Sequence, residues 1–161
     1  MAILIDTSIY YALLDPDDMY HFDAVSLIYH ILKGRYGRPY TIDYVIVETT
    51  LLLKARNLAY KIPLFIEFLQ KENIRIICVD DEILSKSIKI LTRKPETSLT
   101  DIAQVIIANN MKIKYMASLD EWFKQQGLIV LGKNYTSTLS EKELAEIKNY
   151  LRSIKKNSFT H

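Results

Sequence analysis

Four acidic residues stand out by their settings. Asp6 ends the apolar run Ala2, Ile3, Leu4, Ile5 and is followed by Thr7 and Ser8, and Asp120 follows the run from Tyr115 to Leu119. Asp101 opens the apolar-periodic segment carrying Ile102, Val105 and Ile106, while Glu48 lies among Val45, Ile46, Val47, Leu52 and Leu53. Each has an ordinary explanation. An acid after a strand or just inside a helix start is a common cap or dipole partner, and Ser98 with Asp101 has the S-x-x-D form of a capping box. Glu48 either points to solvent or needs a partner, because a carboxylate among core positions is costly to bury unless it is paired or bound to a cation. Were the four to converge, they would stay ionised together only where cations neutralise them. Oxygen ligands without His or Cys select hard ions, Mg²⁺ or Mn²⁺, which keep several waters and accept a phosphate. The chemistry of such a site is phosphoryl transfer or phosphodiester hydrolysis.

Convergence depends on the elements that carry these residues. Apolar runs at residues 2–5, 40–42, 74–79, 114–118 and 128–131 read as strands. Residues 7–14, 21–32, 43–57, 64–69, 83–91 and 101–110 carry apolar side chains at helical spacing. The first helix stops at Asp15-Pro16, since the residue before proline is pushed out of the α region, and Gly34 closes the second. Asp43, Asp80 and Asp81 are expected to cap the helices they precede, Asp15, Asp17 and Asp18 to form a solvated turn, and His21 to start a helix. Strands alternating with helices predict an α/β fold on a parallel sheet. In such a sheet the strand C-termini and the following helix N-termini share one edge, so all four acids can reach one cleft.

Composition narrows the class. With 161 residues, 49% of them hydrophobic, the chain suits one domain with a proper core. A net charge of +2 says little about partners. Cys78, the single cysteine, excludes a disulfide framework and reads as a small buried hydrophobe within IRIICV. No apolar run approaches the roughly 20 residues that span a bilayer, so a soluble, cytoplasmic protein is expected. There is no GxxxxGK[ST] loop or GxGxxG turn to hold a nucleotide. A haloacid-dehalogenase-like phosphatase would want a second acid where Ser8 stands, and a receiver domain using Asp80 or Asp81 would leave Glu48, Asp101 and Asp120 unexplained.

Beyond Asn134 the pattern changes. Ser140 with Glu143 forms another capping box, and Leu144, Ile147, Leu151 and Ile154 make a seam at three- and four-residue steps. That helix can close over its own domain, pair with a second subunit or bind another protein. Lys148, Arg152, Lys155 and Lys156 read as a solvated face.

The ordered set ILIDTS, VIVETTLLLKAR, SLTDIAQVIIAN and MASLDEWFKQQGLIVL, with DDMYHFDA after the first, resembles the PIN domain family, whose members include the VapC toxins of toxin–antitoxin pairs. The resemblance covers about residues 1–133. It implies a three-layer α/β/α sandwich around a central parallel β-sheet, with residues 134–161 as a C-terminal amphipathic helix extension. It also implies a Mg²⁺- or Mn²⁺-dependent endoribonuclease in which Asp6, Glu48, Asp101 and Asp120 are both the metal ligands and the catalytic set. Ser118 would stand behind them, orienting a water or Asp120. The partners so implied are an RNA substrate, an antitoxin protein and a second copy of the chain, with no membrane. The rival reading is a PIN-like module that binds RNA or protein in an RNA-processing assembly with little or no catalysis.

Overall fold

The computed structural model describes residues 1–157. Its centre is a parallel sheet of β1 (Ala2–Ile5), β2 (Arg38–Ile42), β3 (Arg75–Ile77), β4 (Tyr115–Ser118) and β5 (Ile129–Gly132), in the order β3-β2-β1-β4-β5. The connecting helices are α1 (Thr7–Leu14), α2 (His21–Leu32), α3 (Asp43–Ala55), α4 (Ile62–Lys71), α5 (Asp81–Arg93), α6 (Leu99–Met111) and the short α7 (Trp122–Gln125). They cover the sheet to give an α/β/α sandwich, and α8 (Glu141–Asn157) follows. No helix among the described residues is long and apolar enough to cross a membrane.

The strand expected to be buried on both faces is the middle one. Ile3, Leu4 and Ile5 are fully buried, as a continuous apolar run in a parallel sheet requires. From β1 the chain builds β2 and β3 on one side, then α6 carries it back to β4 and β5 on the other. Strand order therefore reverses beside β1, and ligands of doubly wound sheets sit at the carboxyl ends of the strands at such a point.

Residues 74–79 do not form the buried strand that was expected. They supply only β3, an edge strand paired with β2 alone, in which Arg75 and Ile76 are exposed. Cys78 just beyond it is exposed, which corrects its reading as a buried hydrophobe. The apolar run reports β propensity, whereas edge or centre is decided by how many strands pair with it. Asp43 also departs from expectation: Ile42 holds the cap position of α3, and the Asp43 carboxylate accepts from Val79 N at 3.1 Å and Tyr44 N at 2.9 Å. It thus ties the chain after β3 to the start of α3. Asp80 does cap α5, accepting from Ile83 N at 2.8 Å.

Of the C-terminal seam, Ile147 and Leu151 pack on α2, while Ile154 is 47% exposed. Ile147 of α8 is fully buried against Val25 and Tyr29 of α2, and Tyr29 donates to Glu146 Oε1 at 2.9 Å. The capping box is reciprocal: Ser140 N donates to Glu143 Oε2 at 2.8 Å while Glu143 N donates to Ser140 Oγ at 3.3 Å. Between β5 and α8, Thr136 donates twice to Asp23 Oδ1, from its N at 2.8 Å and its Oγ1 at 2.6 Å. Tyr135 Oη lies 2.8 Å from His30 Nδ1 and 2.7 Å from Tyr36 Oη, and Arg35 pairs with Glu143. The basic, aromatic loop after α2 therefore clamps the extension. Residues 158–161, the end of the predicted extension, and the side chains of Lys155 and Lys156 lie outside the described residues.

Candidate active site

Asp6 occupies the N-cap position of α1, yet its side chain makes no capping hydrogen bond. Its backbone N donates to Ala117 O at 2.9 Å, extending the β1–β4 pairing one residue past the strand. The buried carboxylate turns inward instead. Oδ2 accepts from Ser8 Oγ and from Ser118 Oγ, each at 2.8 Å, and Oδ1 accepts from Gln104 Nε2 at 3.0 Å. The capping explanation therefore fails for this residue. Each serine hydroxyl has one proton, and both are directed at Asp6, so the two Oγ atoms stand 3.3 Å apart with no proton between them. Their lone pairs serve the backbone after β4: Leu119 N donates to Ser8 Oγ at 2.9 Å and Asp120 N to Ser118 Oγ at 3.0 Å. A carboxylate can accept about four hydrogen bonds, so Asp6 retains capacity on Oδ1.

The other acids reach the same edge by different means. Glu48 is half-buried on α3, and its Oε2 accepts from Thr7 Oγ1 at 3.0 Å, so its place on an apolar face is explained by a partner on α1 rather than by solvent. Asp101 lies in the first turn of α6, where its backbone N donates to Ser98 Oγ at 3.0 Å. The cap is thus supplied by Ser98, and the Asp101 side chain is left for the cleft. Burial first, then the charge of Asp6, pushes its carboxyl up to about 7 against the opposing hydrogen bond from Ser98, with Glu48 and Asp120 adding to the rise. The field at Asp101 therefore contains all three of the other acids. Asp120 is exposed beyond β4, and its Oδ1 also accepts from Trp122 N at 2.8 Å, so it serves a local turn as well.

The charges of Asp6, Glu48 and Asp120 all act on Asp101, yet the acids do not form a cage. Among the described residues, no three His, Cys, Asp or Glu side chains are grouped closely enough to hold a metal ion. Asp101 and Asp120 line a groove of about 500 Å³ together with Lys94, Glu96, Trp122, Gln125 and Gln126.

Three residues of this site had not been singled out as functional from the sequence: Thr7 and Ser8, which hold Glu48 and Asp6, and Gln104. Gln104 is fully buried, and its Oε1 has no hydrogen-bond partner. The signal for it was present. An amide three residues after Asp101, on the same helical face and among core positions, calls for the same explanation as Glu48.

Comparison with known proteins bears on the same segments. Residues 3–127 match the PIN domain model. A VapC ribonuclease of Archaeoglobus fulgidus is 31% identical over 156 residues, which make up 94% of this chain and 96% of that protein. Among solved structures, Mycobacterium tuberculosis VapC20, described as a sarcin-ricin loop cleaving toxin, superposes with a TM-score of 0.67 at 21% identity, covering 79% of this chain and 96% of its own. A Pyrobaculum aerophilum protein superposes with a TM-score of 0.54 at 18% identity, covering 81% and 92%. At these identities the two structures speak for the fold.

Proposed function

The chain belongs to the PIN domain family, and from that premise we propose that it is a metal-dependent endoribonuclease that hydrolyses RNA phosphodiester bonds, as the toxin of a toxin–antitoxin pair. The observation that carries this reading is the convergence on Asp101 of the charges of Asp6, Glu48 and Asp120, brought from four separate segments to the strand ends beside β1. The relative from Archaeoglobus fulgidus, named a VapC ribonuclease and matched over nearly its whole length, supports it.

The donor set fits Mg²⁺ or Mn²⁺. It is all carboxylate oxygen, and a small hard ion that keeps several waters needs only one or two carboxylates. Asp6, with acceptor capacity left on Oδ1, and Asp101 would hold the ion, with Glu48 and Asp120 at the margins. When bound, it supplies Lewis-acid polarisation of the phosphoryl oxygen and a more acidic water. The chain's own residues do the positioning. Ser8, Ser118 and Gln104 fix the Asp6 carboxylate through three hydrogen bonds, and Thr7 orients Glu48. Ser118 also joins Asp6 to the Asp120 backbone, so the ends of β1 and β4 move as one unit. In the absence of a cation, Asp101 keeps a proton up to about pH 7 and limits the repulsion in the cleft.

The test is cleavage of a single-stranded RNA under Mn²⁺ by the wild type and by Asp6→Asn. The variant is expected to lose cleavage while keeping its thermal midpoint in metal-free buffer, because hydroxyl donors can turn to the new amide. Wild-type rates from Asp6→Asn would refute the assignment. The open arrangement of the acids favours one rival, a PIN-like module that binds RNA or protein with little catalysis. It predicts RNA affinity that persists in chelator and no products under Mn²⁺.

The same reading includes a cytoplasmic location, checked by fractionation, and a homodimer. Ile147 and Leu151 of the C-terminal seam are taken up by α2 and do not argue for the dimer, but Val47 and Leu51, four residues apart on α3, are 55% and 58% exposed and offer an apolar face. Light scattering that shows a monomer at micromolar concentration would remove the dimer.

A further inference from the structure

The groove that Asp101 and Asp120 share with Lys94 is not accounted for by the carboxylates. At about 500 Å³ it has the size of a small-ligand site rather than of a flat surface. Its lining carries the carboxylates of Asp101, Asp120 and Glu96 and the exposed ammonium of Lys94, together with the half-buried indole of Trp122 and the amides of Gln125 and Gln126. Trp122 is held by its own chain: its backbone N donates to Asp120 Oδ1 at 2.8 Å, and its ring sits edge-on to the buried Phe123, with centroids 5.3 Å apart. The aromatic wall is thereby coupled to an acid of the cleft.

We propose that this groove seats one unpaired nucleotide next to the scissile phosphate, its base stacked on Trp122 and met by the amides of Gln125 and Gln126, its sugar-phosphate directed to Lys94. This rests on the ribonuclease reading and goes further, naming the residues that hold the nucleotide beside the cleaved bond. An aromatic face binds any base through its π system, amides can both donate to and accept from a base edge, and an ammonium receives a phosphate as a point charge. Duplex RNA does not fit this chemistry, because an A-form helix presents backbone and 2′-hydroxyls across a shallow groove and keeps its bases stacked away from side chains. The groove accordingly takes a nucleotide whose base is free to meet Trp122.

Trp122 is the only tryptophan of the chain, so its fluorescence reports on the groove directly. The full-length protein is titrated with a fluorescein-labelled single-stranded RNA decamer, and separately with the same decamer in a duplex, in Ca²⁺ to neutralise the carboxylates. Polarisation measures total binding while tryptophan emission measures occupancy of the groove. The single strand is expected to quench Trp122 saturably, with the midpoint found by polarisation, and the duplex to leave emission unchanged. Trp122→Ala should weaken single-strand binding about tenfold, with partial recovery in Trp122→Phe, as loss of one stacking platform predicts. Lys94→Ala, an exposed change that leaves the core intact, should lower the slope of log affinity against log salt by about 0.7, the share of one phosphate contact on a single strand. Saturating polarisation with unchanged Trp122 emission would place RNA elsewhere and overturn the proposal, leaving the ribonuclease reading intact if cleavage under Mn²⁺ persists. Absence of both binding and cleavage would overturn the two together.

Discussion

Replacing Asp101 by Asn separates a site carboxylate from a structural one through the pH dependence of stability. In the native chain this carboxyl is raised from 3.8 to about 7, by burial first and then by Asp6, with Glu48 and Asp120 contributing. Because the folded value lies above the unfolded one, the native state is disfavoured once the group ionises. Its contribution to stability is retained below the unfolded value and lost as pH rises toward about 7. At about 1.4 kcal/mol per tenfold, such a rise corresponds to about 4 kcal/mol, and solvent screening of a half-buried group reduces this to about 1–2 kcal/mol. Asn carries no charge and escapes the penalty. In chelator, the variant should match the wild type near pH 4 and exceed it by about 1–2 kcal/mol, or about 5 °C in a protein of this size, at pH 8. Urea and thermal melts of both proteins at intervals between pH 4 and 8.5 measure that gap. At pH 8, Mn²⁺ should raise the midpoint of the wild type more than that of the variant, since the cation relieves repulsion that the variant lacks. A variant less stable than the wild type by the same amount at every pH would refute the reasoning. The carboxylate would then be serving the positive end of the α6 dipole, whose effect does not require neighbouring acids.

Two further outcomes follow from the contacts around Asp6 and Ser118. Gln104→Leu removes a donor to Asp6 together with the unpartnered buried Oε1, two effects of opposite sign, so stability by urea melt should change by less than about 1 kcal/mol while cleavage falls about tenfold to a hundredfold; an unchanged cleavage rate would show that Gln104 does not position Asp6. Gly132→Ala places a Cβ 2.4 Å from Ser118 O across the β4–β5 pairing, which forces the strand ends apart. It should lower stability by about 1–3 kcal/mol and reduce cleavage under Mn²⁺ even where the protein remains folded, and full activity in a folded variant would contradict the tight packing at Ser118.

Much of the architecture is local information. The central strand declares itself because Ile3, Leu4 and Ile5 form an unbroken apolar run, and only burial on both faces tolerates one. The caps made by Asp80, Ser98 and Ser140 are likewise legible, since the donor each one meets lies three residues ahead. The order of Asp6, Glu48, Asp101 and Asp120 along alternating strands and helices was enough to bring the four to one sheet edge and to suggest the PIN family, to which the chain belongs.

What tertiary structure alone decided is how each polar group is used. Asp6 and Asp80 stand in the same local setting, each just after a strand and at the cap position of a helix, yet Asp80 caps and Asp6 does not. The difference is competition. The partners of Asp6 include Gln104 and Ser118, 98 and 112 residues away in the chain, and in a buried, low-dielectric setting charge-assisted bonds from several donors outweigh one bond to a helix N–H that other groups can satisfy. Cys78 went astray for the related reason that an apolar run does not say whether its strand has one neighbour or two. The loop around Arg35, which suggested nothing by itself, became the clamp for α8 only once Tyr135 and Glu143 were folded against it. Strand, helix and cap depend on residues a few positions apart and can be read along the chain. The choice a carboxylate makes among competing donors depends on which distant segments arrive beside it, and that is settled only by the packed fold.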